Sequence, residues 1–316
     1  MKRLLPVVVS GALLATVYWR LDWREFAGAV AAAHWGWFGA GLLLIVPTTL
    51  LTAWRFTLLM SGGAIPLTES LKLTLAASVL NLALPSKMGD LAKAWFAARR
   101  GYMPGGGALG IVLFEKAADL TALLALGLAG ALAARPAAPA WACGGLGVAL
   151  AAGVAVMASR RLSSAALGRV PAALGALIEA WGSVQERMAG DRRFALSIAG
   201  LSLAAWLLHL IQIWFFARSL AASPPLTATL ALASLAILAG LLPLTLAGIG
   251  TRDAALVYLF RDYLTPEGGA ALGLMCTLRY LAPAAAGIAF LREMAAPSQC
   301  APSPEAETPS RPATRS

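Results

Sequence analysis

Six stretches of this chain, at 4–20, 36–60, 107–133, 139–158, 194–218 and 269–292, stay apolar long enough to cross a bilayer, which takes about 20 residues of helix. No water meets a backbone N–H or C=O in hydrocarbon, so a spanning segment must satisfy its own hydrogen bonds as a helix or close into a barrel. Runs this long and without alternation are helices. Hydrophobic residues make up 59% of the chain and charged ones 13%, and 15 acids in 316 residues are too few to solvate a globular surface. The expected fold class is an all-α polytopic membrane protein.

The net charge of +10 does not indicate nucleic acid, because the bases are scattered between apolar runs, where they set topology and meet anionic headgroups. Loop 159–193 carries Arg160, Arg161, Arg169, Arg187, Arg192 and Arg193, which makes it cytoplasmic by the positive-inside rule. Counting outward from it puts both termini inside. The first run follows Lys2 and Arg3 but ends at Tyr18-Trp19-Arg20 without a cleavage site, so an uncleaved span is expected. Segment 22–35 reads as an interfacial amphipathic helix and 163–191 as a cytoplasmic amphipathic connector. The expected domains are a membrane domain at 1–295 and a disordered cytoplasmic tail at 296–316, rich in Pro, Ser, Thr and Glu, which cannot bury a core. Cys143, Cys276 and Cys300 show no metal-like spacing, and with His34 and His209 the only histidines no metal site or cofactor is expected.

Two further apolar regions, 68–98 and 226–262, are interrupted by matching motifs, Asn81-Leu-Ala-Leu-Pro-Ser-Lys-Met-Gly-Asp90 and Leu241-Leu-Pro-Leu-Thr-Leu-Ala-Gly-Ile-Gly-Thr-Arg-Asp253. Each has Leu-Pro followed by a glycine, a base and an aspartate, with Lys87 just before Gly89 in the first and Arg252 after Gly250 in the second. Broken helices at membrane depth survive only where protein or a polar cavity receives the freed backbone, and matched breaks in two halves point to a substrate site. The topology closes if both regions enter and return as re-entrant hairpins, giving about six spans and an inverted repeat; full crossing would give about eight spans. Ala108-Leu-Gly110 followed by Lys116 and Ala271-Leu-Gly273 followed by Arg279 at the same offset extend the similarity.

Charges at mid-bilayer are costly and tend to be paired or functional. The expected headgroup-binding set is Lys87, Asp90, Lys116, Arg252, Asp253 and Arg279. Arginine suits bidentate phosphate binding, and helix ends freed at Pro85 and Ser86 favour anions. Glu115 and Asp119 share a helix face at i,i+4 and are expected in a charge network with Arg252 or Arg279, either neutralising buried charge or carrying protons. Asn81, Pro85, Ser86, Gly89, Gly248 and Gly250 are expected to support the hairpins. Arg55, after Trp54, is expected to anchor at the cytoplasmic interface, with a headgroup contact as the alternative.

Trp54-Arg55, Asn81-x-x-Leu84-Pro85-Ser86-x-x-Gly89-Asp90, Glu115-Lys116-x-x-Asp119 and Gly248-x-Gly250-x-Arg252-Asp253 together resemble the flippase-like membrane region of lysylphosphatidylglycerol synthases, the multiple peptide resistance factor family, over residues 1–295. Arg252-Asp253 stands where many relatives have Arg-Glu. Full-length members add a cytoplasmic aminoacyl-transferase domain; this sequence shows no such domain, so synthase activity is not expected of it. The resemblance implies a lipid translocase that moves an anionic or zwitterionic phospholipid, glycolipid or polyprenyl-phosphate lipid between leaflets of a bacterial inner membrane. Its partner is then membrane lipid, with a homo-oligomer and lipid-synthesis enzymes left open. Two rivals stand beside it: a membrane-embedded lipid-modifying transferase, against which no Asp-x-Asp pair or nucleotide loop is found, and an ion-coupled carrier of a small anion.

Overall fold

The computed structural model describes residues 19, 21–60, 65–84, 88–134, 140–159, 172–241 and 250–295, and every regular element among them is helical. The expected first span save Trp19, the motif residues Pro85, Ser86, Lys87 and Gly248, and the tail at 296–316 lie outside the described residues. The chain opens with α1 (Trp23–Ala31), where the Asp22 side chain accepts from the N–H groups of Arg24 and Glu25 and so caps the first turn. No residue of α1 is buried, in keeping with a helix lying in an interface.

The next span is two helices, α2 (Trp35–Leu43) and α3 (Ile45–Leu59). Pro47 explains the step at Leu44: it has no N–H for the Leu43 carbonyl, and its ring crowds that carbonyl. Then come α4 (Leu67–Ala83), a 3₁₀ turn (Met88–Leu91) and α5 (Ala92–Arg99). Leu84 ends α4 in an extended conformation (φ −103°, ψ 143°), the one favoured before a proline such as Pro85. The bundle continues with α6 (Gly105–Ala133), α7 (Ala140–Ala158), α8 (Ala172–Gly190) and α9 (Arg192–Ser219). The second broken region follows as α10 (Leu226–Leu241) and α11 (Thr251–Leu259). The last elements are α12 (Pro266–Leu278) and α13 (Leu281–Ala295).

Four continuous stretches, Trp35–Leu59, Trp141–Ala158, Arg192–Ser219 and Pro266–Met294, are long and apolar enough to cross a membrane. Helix α6, at 29 residues, has the length as well and forms the axis, contacting α5, α7, α8, α9 and α10. The two broken regions behave differently. With a rise of 1.5 Å per residue, α5 and α11 reach only about 12–14 Å, under half the ~30 Å hydrocarbon thickness. The 3₁₀ turn and α5 lie against α4, and α11 lies against α10, so each region doubles back on itself as a helical hairpin.

One expected span changes character. The run at 269–292 bends at Arg279–Tyr280 between α12 and α13, because Pro283 cannot donate to the Arg279 carbonyl four residues earlier. The connector read at 163–191 also proves to be more than a surface helix. Its helix α8 packs along α6, with Phe114 edge-to-face on Trp181 at 5.1 Å.

Small residues set the close crossings, as expected where lipid gives no hydrophobic drive to association. A Cβ on Gly110 would stand 2.4 Å from the Leu177 carbonyl oxygen of α8, and one on Gly287 of α13 would stand 2.0 Å from the Leu75 carbonyl oxygen of α4. Backbone cannot retreat as a side-chain tip can. Gly287→Val is therefore expected to push α13 off α4 and cost at least about 1–3 kcal/mol, read as a lower thermal unfolding midpoint of the purified protein in detergent. An unchanged midpoint would show that this crossing is loose.

Candidate functional site

The first polar cluster is built around α6. The Glu115 carboxylate, fully buried, accepts from Arg55 Nη2 at 3.0 Å and from Lys93 Nζ at 3.0 and 3.1 Å. One turn on, Asp119 pairs with Arg55 Nη1 at 2.7 Å and accepts from Trp206 Nε1 at 2.9 Å. Lys116 bridges Asp119 at 3.1 Å and Asp90 at 2.5 Å. Asn81 closes the hairpin: its Nδ2 donates to Asp90 Oδ1 at 2.9 Å and its Oδ1 accepts from the Asp90 N–H at 3.2 Å. Gly89 permits this, since a Cβ there would meet the Asn81 nitrogen at 2.3 Å. Among the described residues three bases (Arg55, Lys93, Lys116) thus face three acids (Asp90, Glu115, Asp119), and their charges balance.

The second cluster sits at the other hairpin. Gly250 takes φ 106°, a left-handed value that suits glycine, and turns the chain into α11. Asp253 Oδ2 accepts from the Gly250 N–H at 3.2 Å, while Oδ1 accepts from Arg252 Nε at 2.9 Å and Nη2 at 2.6 Å. Arg252 Nη2 also reaches Thr277 Oγ1 at 2.7 Å and the Gly273 carbonyl at 3.2 Å. Gly273 makes room for this: a Cβ there would stand 2.9 Å from Asp253 Oδ1. Arg279, only 2% exposed, is different. Its Nη1 donates to Gln212 Oε1 at 3.2 Å and its Nη2 to the Tyr280 hydroxyl at 2.9 Å. No carboxylate among the described residues pairs with it, and its Nε and Arg252 Nη1 lack partners there. Residues 242–249, which run into this cluster, contain no acid. Two bases therefore face one acid.

The two clusters share a spacing. Asp90 and Lys116 are 26 residues apart (116 − 90), and so are Asp253 and Arg279 (279 − 253). The first pair is closed in an ion pair. The second is open, because Asp253 takes its neighbour Arg252 instead.

Of the residues expected from sequence, the structure brings together Asn81, Gly89, Asp90, Glu115, Lys116 and Asp119 at one hairpin, and Gly250, Arg252, Asp253 and Arg279 at the other. Two expectations change. Glu115 and Asp119 pair with Arg55, Lys93 and Lys116 rather than with Arg252 or Arg279. Arg55 is not an interfacial anchor but a core residue, 1% exposed, held there by two carboxylates. Lys93, Ser202, Trp206, Gln212 and Tyr280 were not singled out. Lys93 had a signal: three acids at depth with only Lys116 among them call for two further bases.

Removing one partner of a buried ion pair leaves a bare charge and costs about 3–5 kcal/mol, whereas removing both can be neutral. Glu115→Leu should thus be strongly destabilised, and Glu115→Leu with Lys93→Met should recover most of the loss, since two bases and two acids then remain. A double-mutant cycle on thermal stability in detergent measures this; a double variant no better than the single would mean that Lys93 does not need Glu115.

Residues 3–287 match the family described as lysylphosphatidylglycerol synthase TM region. No curated protein matches the chain. The match covers both hairpins, both charge clusters and α6 that supports them. With the helical membrane architecture beneath it, this chain belongs to the lysylphosphatidylglycerol synthase TM region family.

Proposed function

We propose that the protein translocates a lipid with an anionic headgroup group between the leaflets of the bacterial inner membrane, the anion being bound at Arg279, with both termini in the cytoplasm. The single observation that carries this reading is the Arg279 guanidinium, buried near the middle of the Pro266–Met294 stretch with no carboxylate against it. A charge at that depth costs roughly 2.5–3.5 kcal/mol on insertion scales. Among the described residues its cost is offset by neutral oxygens and by the Tyr280 ring 4.9 Å away. An incoming phosphate supplies the missing charge, and the planar fork of arginine matches two of its oxygens. Lys116 and Asp90, expected to contact the headgroup as well, are satisfied by each other in this state. Membership of a lipid-related membrane family favours lipid over a soluble anion.

The equal spacing of the two base–acid pairs supports an alternating scheme for an inverted repeat. With Lys116 closed on Asp90, Arg279 is open to an anion. In the opposite state Arg279 closes on Asp253 and releases the headgroup, while Lys116 opens. The bend at Arg279–Tyr280 and the short arm α11 are the elements that move.

Proteoliposomes carrying short-chain fluorescent phosphatidylglycerol test this. Arg279→Gln removes a charge-assisted bond of about 1.5–3 kcal/mol, so leaflet exchange should slow about 10- to 100-fold. Thermal stability should hold or rise, because no acid is orphaned. Normal exchange in Arg279→Gln, or uptake of soluble phosphate without lipid exchange, overturns the proposal.

A further inference from the structure

A groove of about 520 Å³ opens between α7 and α9, floored by α6 and closed at one end by α8. That volume is in the range of small-ligand sites. Its walls are apolar, among them Ala122, Ala125, Val154, Ile198 and Leu203. It lies beside Trp141–Ala158 and Arg192–Ser219, two stretches long and apolar enough to cross a membrane. Along α9 it runs from Ala195 to Leu203, about 12 Å at helical rise.

The two ends of the groove are polar in different ways. At the inner end Ser202 lines the wall and accepts from Arg55 Nη1 at 2.9 Å, which places the groove beside the first charge cluster. At the opposite end, where α9 begins, Arg192 and Arg193 are exposed one turn before Ala195. Gln185 stands near this end. Its Nε2 donates to the Met157 carbonyl at 2.6 Å, while its Oε1, on a residue 8% exposed, has no donor among the described residues. An apolar slot under exposed arginines, with a buried acceptor at its mouth, has the polarity of a phospholipid: phosphate on the arginines, a hydroxyl on Gln185, one acyl chain in the slot.

We propose that the α7–α9 groove is a resident binding site for one acyl chain of an anionic phospholipid whose phosphate rests on Arg192 and Arg193. The site is separate from Arg279, which lies in the other cluster, and occupancy does not require that the lipid cross the membrane. The chain end reaches Ser202, so a bound lipid packs against the residue that helps hold Arg55. Occupancy therefore stiffens the first cluster.

Native mass spectrometry of the full chain in detergent, titrated with dioleoyl phosphatidylglycerol or dioleoyl phosphatidylcholine, reads the site without any leaflets. The wild type should retain one phosphatidylglycerol more tightly than phosphatidylcholine. Ala199→Trp, on an exposed groove-lining position, should fill the slot and weaken binding about tenfold, with Ala199→Leu intermediate. Leu196→Trp, exposed on α9 but outside the groove, should bind as wild type. Arg192→Gln with Arg193→Gln should bring phosphatidylglycerol down to the phosphatidylcholine level. Equal binding of the two lipids by wild type, or undiminished binding in both Ala199 variants, overturns the proposal. Leaflet exchange by Arg279→Gln is a separate readout, so failure here and failure of the translocation reading are told apart.

Discussion

Three carboxylates cannot sit in the middle of a membrane bundle unless three bases come with them, and that demand organises half of this structure. Glu115 and Asp119 lie on α6, so Arg55 must come in from α3, Lys93 from α5 and Lys116 from α6 itself. Asp90 then completes the balance from the 3₁₀ turn of the hairpin. Each pair crosses from one helix to another except Lys116–Asp119. The ion pairs therefore fix where the hairpin docks, as well as neutralising charge. In low dielectric an unpaired member would be far costlier than in water, which leaves little freedom to slide one element past the next.

The breaks in the helices fall where these polar groups gather. Pro47 loosens the α2–α3 junction near Gly41, whose carbonyl accepts from Gln212 Nε2 at 2.8 Å, and Gln212 in turn holds Arg279. Pro283 bends α12–α13 at Arg279 itself. Leu84, which precedes Pro85 in sequence, ends α4 just before the turn that carries Asp90. At Pro47 and Pro283 a proline withdraws a backbone donor, and the buried Gln212 and Arg279 side chains lie at or near the break. Irregular backbone at depth is tolerated where protein groups receive it, and here those groups are the charged clusters.

Much of this was legible from residues. Long apolar runs, the two Leu-Pro breaks and the acids at 115 and 119 predicted the helices, the hairpins and a charge network, because each rests on a local rule of length, proline geometry or desolvation. The partners were not legible. Arg55 follows Trp54 near the end of an apolar run, a pattern shared with interfacial anchors, and only the crossing of α3 against α9 and α6 turns it inward. Lys93 stands a few residues before Arg99 and Arg100, and nothing local marks it for burial. Whether Arg279 meets Asp253 is likewise a matter of tertiary geometry: two pairs with one spacing adopt two arrangements, and no sequence rule chooses between them.

That difference bears on how the halves communicate. Helix α9 contributes Ser202 and Trp206 to the first cluster and Gln212 to the second. Trp206 and Gln212 are six residues apart, about 9 Å along one rigid helix. A shift of α9 that drew Gln212 from Arg279 would also move Trp206 against Asp119, the acid that shares Lys116 with Asp90. Among the described residues the second cluster carries an excess positive charge and the first carries none, so in the proposed function an anion entering at Arg279 acts on one side of this lever only. On that proposal its differential binding is the free energy that biases the pair of arrangements.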